Sequence, residues 1–158
     1  LVALGIGYAP QEQPLFQGLS IRDHLRLAVP SDRMLPEALG RLFGHFPFLK
    51  DRLAQRAGTL SGGEQKMLIL GRALMLRPRL LLIDEISGGV QPSMVERLGG
   101  VLQAERAAGV SMLVVEQHVA FALALADRYA VLKLGEIVDS GPAQAPDARA
   151  RVIDHLAV

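Results

Sequence analysis

Two short unbroken apolar runs, each closing on polar side chains, constrain this chain more than any other feature. Residues 79–85 read RLLLIDE and residues 110–117 read VSMLVVEQ. A brief continuous apolar run predicts a strand buried on both faces, as in a parallel sheet. Between the two runs, residues 92–108 carry a helical pattern, and Gly109 follows as a C-terminal cap. Strand, helix and strand in that order imply a right-handed crossover and a mostly parallel α/β sheet with helices on both faces. Ligands of such sheets sit outside the carboxyl ends of the strands. Asp84, Glu85, Glu116 and Gln117 all fall at that edge.

The remaining elements fit around this unit. Residues 1–10 end in GIGYAP, read as a strand stopped by Pro10, and residues 11–14 form a polar loop. Residues 20–27, SIRDHLRL, predict a helix capped by Ser20 with Asp23 in its first turn. Pro30, Pro36 and Pro47 break residues 28–59 into short helical pieces, a small irregular lobe. Ser61 opens a helix with Met67, Leu70, Gly71 and Leu74 at helical spacing, which Arg77-Pro78 closes. Residues 118–126 are helical, residues 129–141 read as two strands turning at Gly135, and the tail ends as a weak helix.

Composition excludes several classes of function. With 158 residues the chain has the length of one domain, or of one domain and a small lobe. Net charge is +1, and basic residues such as Arg72, Arg77 and Arg79 are scattered, so nothing argues for nucleic acid or an anionic membrane surface. Absence of cysteine excludes disulfide, thiolate and zinc–cysteine chemistry. The four histidines, His24, His45, His118 and His155, lack metal-ligand spacing. No apolar run approaches the ~20 residues of a membrane span. Without a basic leader or a starting methionine, the N-terminus reads as entered in mid-domain rather than as a signal peptide.

Three places could carry chemistry. In LSGGEQ, residues 60–65, Ser61 and Glu64 have capping-box spacing, which alone marks only a helix start. Gly62 and Gly63 are poor helix formers, by ~1 kcal/mol against alanine. Their use is to bring backbone N–H groups close to an anion at the positive end of the helix. At the end of LLLIDE, Asp84 suits a magnesium ligand, and Glu85 can polarise an attacking water. Alone, this is also an ordinary strand-to-loop transition. Gln11, after the first strand, can reach a metal or a water. At the second strand end Gln117 could contact a terminal phosphate, while His118 is the more usual proton handler. Ser61 is not a nucleophile elbow, since the glycine two residues before it is missing, and no G-x-G-x-x-G opens a helix.

Taken together, the chain resembles the ATP-binding cassette ATPases of ABC transporters. LSGGEQ (60–65) is similar to the family signature, LLLIDE (80–85) to its Walker B strand, YAPQ (8–11) to its Q-loop and VVEQ (114–117) to its switch strand. Residues 125–141 resemble the closing strands, so the likeness runs from about residue 3 to 141. The resemblance implies a P-loop NTPase-like sheet flanked by helices. Residues 17–75 would form a helical and signature subdomain, with 1–16 and 76–158 in the catalytic core.

The same resemblance implies ATP and Mg²⁺ as cofactors, the nucleotide being sandwiched between two subunits. Ser61, Gly62, Gly63, Glu64 and Gln65 would hold a partner's γ-phosphate. Asp84 and Gln11 would serve the metal, Glu85 the attacking water. Ten residues back from Asp127 stands Gln117, so the switch role falls to it rather than to His118.

GIGYAPQEQPLFQGLSIRDHL and EQHV followed by LADR are similar to the ATPases of branched-chain amino-acid and urea importers. Implied partners are a second ATPase subunit, transmembrane permease subunits and, indirectly, a solute-binding protein, with no nucleic acid. The implied location is the cytoplasmic face of the cell membrane. Departures are Ile86 in place of the family's proline, and a D-loop, residues 87–92, with Gly88, Gly89 and Gln91, which the glycines should loosen. No G-x-x-x-x-G-K-[ST] occurs in these residues, so the expectation is that the P-loop precedes Leu1. The alternative is a non-catalytic half-cassette that lends its signature to a sister ATPase. Soluble cassette proteins of translation or DNA repair fit less well, since no charged insert or basic surface is present.

Overall fold

The computed structural model describes residues 4–12 and 15–156. The start of the first predicted strand, residues 1–3, and loop residues Gln13 and Pro14 lie outside the described residues. Along the chain run β1 (Ile6–Ala9), α1 (Ile21–Leu27), α2 (Leu35–His45), α3 (Gly62–Leu74) and β2 (Leu80–Asp84). Then come α4 (Pro92–Ala107), β3 (Ser111–Val115), α5 (Val119–Leu125), β4 (Arg128–Lys133), β5 (Glu136–Pro142) and α6 (Ala148–Leu156). Short 3₁₀ turns punctuate the proline-rich stretch between α1 and α3.

Strands β1, β2 and β3 pair in parallel, in that order. Their register aligns Ile6 with Leu80 and Leu80 with Ser111, and Ile83 faces both Ala9 and Val114. All three strands therefore end at one edge. Side chains alternate between the two faces of a strand. Ala9, Leu81 and Ile83 point into a core shared with Met67, Leu70 and Leu74 of α3 and Leu98 and Leu102 of α4. Tyr8, Leu113 and Val115 lie on the opposite face.

That opposite face corrects one expectation. The run at 110–117 predicted a strand buried on both sides, yet Leu113 is 60% and Val115 54% exposed. β3 is an edge strand of the described sheet, and no described element covers its second face. The helices that share the sheet's core, α3 and α4 among them, pack against the other face.

Local chemistry sets the helix starts. Ser20 caps α1 and Ser61 caps α3, each in a reciprocal capping box, with Asp23 and Glu64 at the third helical position. The β4–β5 hairpin turns on two residues, Leu134 (φ 50°) and Gly135 (φ 86°), the positive pair that a type I′ turn requires. Asp139 of β5 accepts from the Tyr129 hydroxyl at 2.9 Å and pairs with Arg151, which ties α6 to the hairpin.

Close approach of β1 to α3 explains one glycine. A Cβ on Gly7 would lie 2.8 Å from the backbone oxygen of Ala73 and 3.1 Å from side-chain atoms of Leu81 and Pro78. Gly7→Ala should therefore cost about 1–3 kcal/mol through overpacking. A chemical denaturation midpoint unchanged by this substitution would show that β1 and α3 are not so tightly apposed.

Candidate functional site

Because the three strands end together, the loops after β1, β2 and β3 meet. Glu85 follows β2 directly. Its N–H donates to Val115 O at 2.9 Å, which keeps it beside the end of β3. Its φ of 45° turns the chain away from the sheet, a left-handed conformation costly for a residue with a Cβ. The carboxylate lies between two amides: Gln11 Nε2 donates to Oε2 at 2.5 Å, and Gln117 Nε2 donates to Oε1 at 2.7 Å. One amide comes from the loop after β1 and the other from the end of β3. The structure thus brings Gln11, Glu85 and Gln117 together.

His118 does not join them. It precedes α5, and its ring stacks on Phe121 with centroids 6.2 Å apart. Asp84, the last residue of β2, is half-buried, opposite Val115 in the register. Among the described residues no group of three or more acidic, histidine or cysteine side chains forms a metal cluster. The residues present fit a cation held by few protein ligands, which is how magnesium is commonly bound. Since Gln11 gives its amide nitrogen to Glu85, only its carbonyl oxygen could ligate such an ion.

The LSGGEQ segment stands at the start of α3. Ser61 N donates to Glu64 Oε2 at 2.9 Å, and Glu64 N returns to Ser61 Oγ at 3.4 Å. Arg52 Nη1 holds the second carboxylate oxygen at 2.6 Å. Burial works against the Glu64 carboxylate, but the Ser61 N–H and hydroxyl and the Arg52 guanidinium together outweigh it, so its pKa lies below the ordinary value. Gly62 is exposed, and a Cβ there would meet nothing. A Cβ on Gly63 would lie 3.1 Å from Met94 Cγ, so this glycine also serves packing against α4.

Gln65 faces the interior. It is buried, and its side-chain nitrogen donates to Leu60 O at 3.0 Å. Its position on α3 turns it inward, away from the tip that Ser61 and Gly62 expose.

Two residues assigned no role from the sequence, Lys66 and Glu116, shape the site. Lys66 is 5% exposed, and its Nζ donates to Gln11 O and to Glu85 O, both at 3.0 Å. The signal for it was a lysine on the helix face shared with Ile69, Leu70 and Ala73. Glu116 accepts from Ser87 N at 2.9 Å and from Ser87 Oγ at 2.7 Å. The loop expected to be loosened by Gly88 and Gly89 is thus tied at its first residue. Gly89 supplies a left-handed turn at φ 69°. A cleft of about 530 Å³ opens here, lined by Glu85, Ser87, Val90, Glu96, Gln117 and His118 among others.

Comparison with known proteins places the chain. A family model described as ABC transporter matches residues 2–88, more than half of it. The chain is 38% identical over 151 residues to the high-affinity branched-chain amino acid transport ATP-binding protein of Pseudomonas aeruginosa, covering 92% of this chain and 64% of that protein. It is 31% identical over 144 residues to the lipopolysaccharide export system ATP-binding protein of Escherichia coli, covering 87% and 58%. The chain therefore spans less than two thirds of the length of these relatives. Its fold matches a nucleotide-free ATP-binding cassette from an ABC transporter with a TM-score of 0.81 at 23% identity, covering 98% of this chain and 66% of that one. An ATP-binding cassette in its ADP conformation matches equally, with a TM-score of 0.81 at 21% identity over 99% and 70%.

The capping box at the start of α3 yields a test. Ser61→Ala should cost about 1 kcal/mol of stability, read by chemical denaturation. The depressed Glu64 pKa sets the sign with pH. Its stabilisation is complete above the ordinary carboxylate range and disappears as pH falls through the lowered folded value. Glu64→Gln should therefore flatten the acid limb of the stability curve, and an unaltered limb would remove the pair from the account.

Proposed function

The chain belongs to the ABC transporter family, and we propose that it acts as the ATP-hydrolysing subunit of a transporter importing branched-chain amino acids or a similar small polar solute. The observation that carries this reading is the Glu85 carboxylate held between Gln11 and Gln117 at the carboxyl edge of a parallel sheet. Such a carboxylate can accept a proton from a water that attacks a γ-phosphate. Gln11 and Gln117 aim it, and Gln117 also stands where an amide could touch the terminal phosphate. Asp84 and the carbonyl oxygen of Gln11 are the groups that would hold magnesium, which when bound neutralises phosphate charge.

The exposed start of α3, with Ser61, Gly62 and Gly63, would present backbone donors to the γ-phosphate bound by a second ATPase subunit. The Glu64 carboxylate belongs to this tip by keeping Ser61 in its capping position. Residues 17–75 are proposed as the helical and signature subdomain, and 1–16 with 76–158 as the catalytic core. No helix among the described residues is long and apolar enough to cross a membrane. The proposed transporter includes permease subunits, with the ATPase at the cytoplasmic face and a solute-binding protein acting indirectly. Import of an amino acid is supported by the name of the Pseudomonas relative, whereas the Escherichia coli relative is named for export.

The decisive substitution is Glu85→Gln, in the chain joined to an N-terminal segment that bears a P-loop. Hydrolysis should fall by ~10²-fold or more while ATP binding is spared. Unchanged turnover would remove Glu85 from the base role. A parent that cannot hydrolyse ATP, yet raises the rate of a full-length sister cassette, would favour the signature-donor reading instead.

A further inference from the structure

Lys66 occupies an unusual place. It lies one turn along α3 from Gly62, on the face turned toward the sheet. Its ammonium is buried and reaches two backbone carbonyls from loops 74 residues apart, Gln11 O and Glu85 O. The side chains of those same two residues meet each other at 2.5 Å. Backbone and side chains of Gln11 and Glu85 thus form one closed set of contacts, and Lys66 supplies its backbone half.

We infer that Lys66 is a positioning residue, whose ammonium pins the Gln11 and Glu85 carbonyls so that the Gln11 amide and the Glu85 carboxylate face each other. This rests on the role proposed above for Glu85. Two geometric facts favour positioning over simple packing. Glu85 has a left-handed backbone, which a side-chain-bearing residue keeps only when its surroundings hold it. Among the described residues, the Glu85 carbonyl has, beyond the Lys66 ammonium, only the Gly88 N–H, at 3.4 Å. A buried ammonium is also costly unless hydrogen-bonded, so this site is built for the contact and not merely tolerant of it.

The surrounding charges agree. Burial lowers the Lys66 pKa, while Glu116, Glu85 and Asp84 all act to keep the amine charged. No aliphatic side chain of similar length could satisfy both carbonyls. Because α3 begins at the exposed Gly62 tip, Lys66 also makes that tip and the Gln11–Glu85 pair parts of one rigid element. A displacement of α3 along its axis moves both carbonyls together.

The test compares Lys66→Met and Lys66→Gln in the P-loop-supplied chain. Lys66→Met keeps the apolar stem and removes the donors; kcat should fall about 10-fold or more with KM for ATP little changed, since misplaced groups lose rate rather than binding. Lys66→Gln restores two N–H donors and should recover most of the lost kcat. Hydrogen exchange supplies a readout independent of turnover. Lys66→Met should speed exchange in the segments around Gln11 and from Glu85 to Gln91, and leave the β4–β5 hairpin unchanged. Equal kcat in all three proteins, or a Gln variant no better than the Met variant, would overturn the inference. A parent that does not hydrolyse ATP would sink the Glu85 reading instead, and exchange alone would then decide whether Lys66 holds the two loops.

Discussion

Parallel pairing of β1, β2 and β3 is the constraint on which the rest of the structure depends. Parallel strands run in the same direction, so every loop at their carboxyl ends emerges on one side. Residues far apart in sequence meet there without any long loop having to reach. Gln11, Glu85 and Gln117 are three successive strand exits brought side by side, and their contacts are hydrogen bonds between one carboxylate and two amides. The antiparallel β4–β5 hairpin cannot do this, because its two strands leave in opposite directions.

Around that edge the charges are arranged with care. Asp84, Glu85 and Glu116 lie close to one buried cation, Lys66. Glu116 spends both oxygens on Ser87, so it is satisfied by neutral donors rather than by an ion pair. Glu85 is likewise satisfied by amides. Among the described residues, no lysine or arginine lines the cleft beside these carboxylates.

Much of this was legible in the sequence, for identifiable reasons. Continuous apolar runs with polar ends announced β2 and β3, and serine followed three residues later by a carboxylate announced the starts of α1 and α3. The hairpin was visible through Gly135, and the residues of the LSGGEQ segment through their spacing. Other features had no local signature. An apolar run reports that a strand prefers burial but not which neighbours cover it, so the open face of β3 stayed hidden. Lysines on helices usually lead their charge to solvent, so a lysine on the apolar face of α3 is a weak signal for the two carbonyl partners of Lys66. Gln65 and Glu64 are adjacent, yet one faces inward and the other caps, a difference that depends on where α3 sits against the core. Glu85 sits where glycine would be expected for a left-handed backbone, and nothing in its own identity reveals that.

That last feature bears on how such a chain can change over time. A glycine at position 85 would relieve the strained backbone but would delete the carboxylate. Pressure toward stability and pressure toward the chemistry proposed for this edge therefore pull the same codon in opposite directions. A lineage released from the need for that carboxylate should drift to glycine or asparagine at this position, so its identity among descendants is a record of whether the site is still in use.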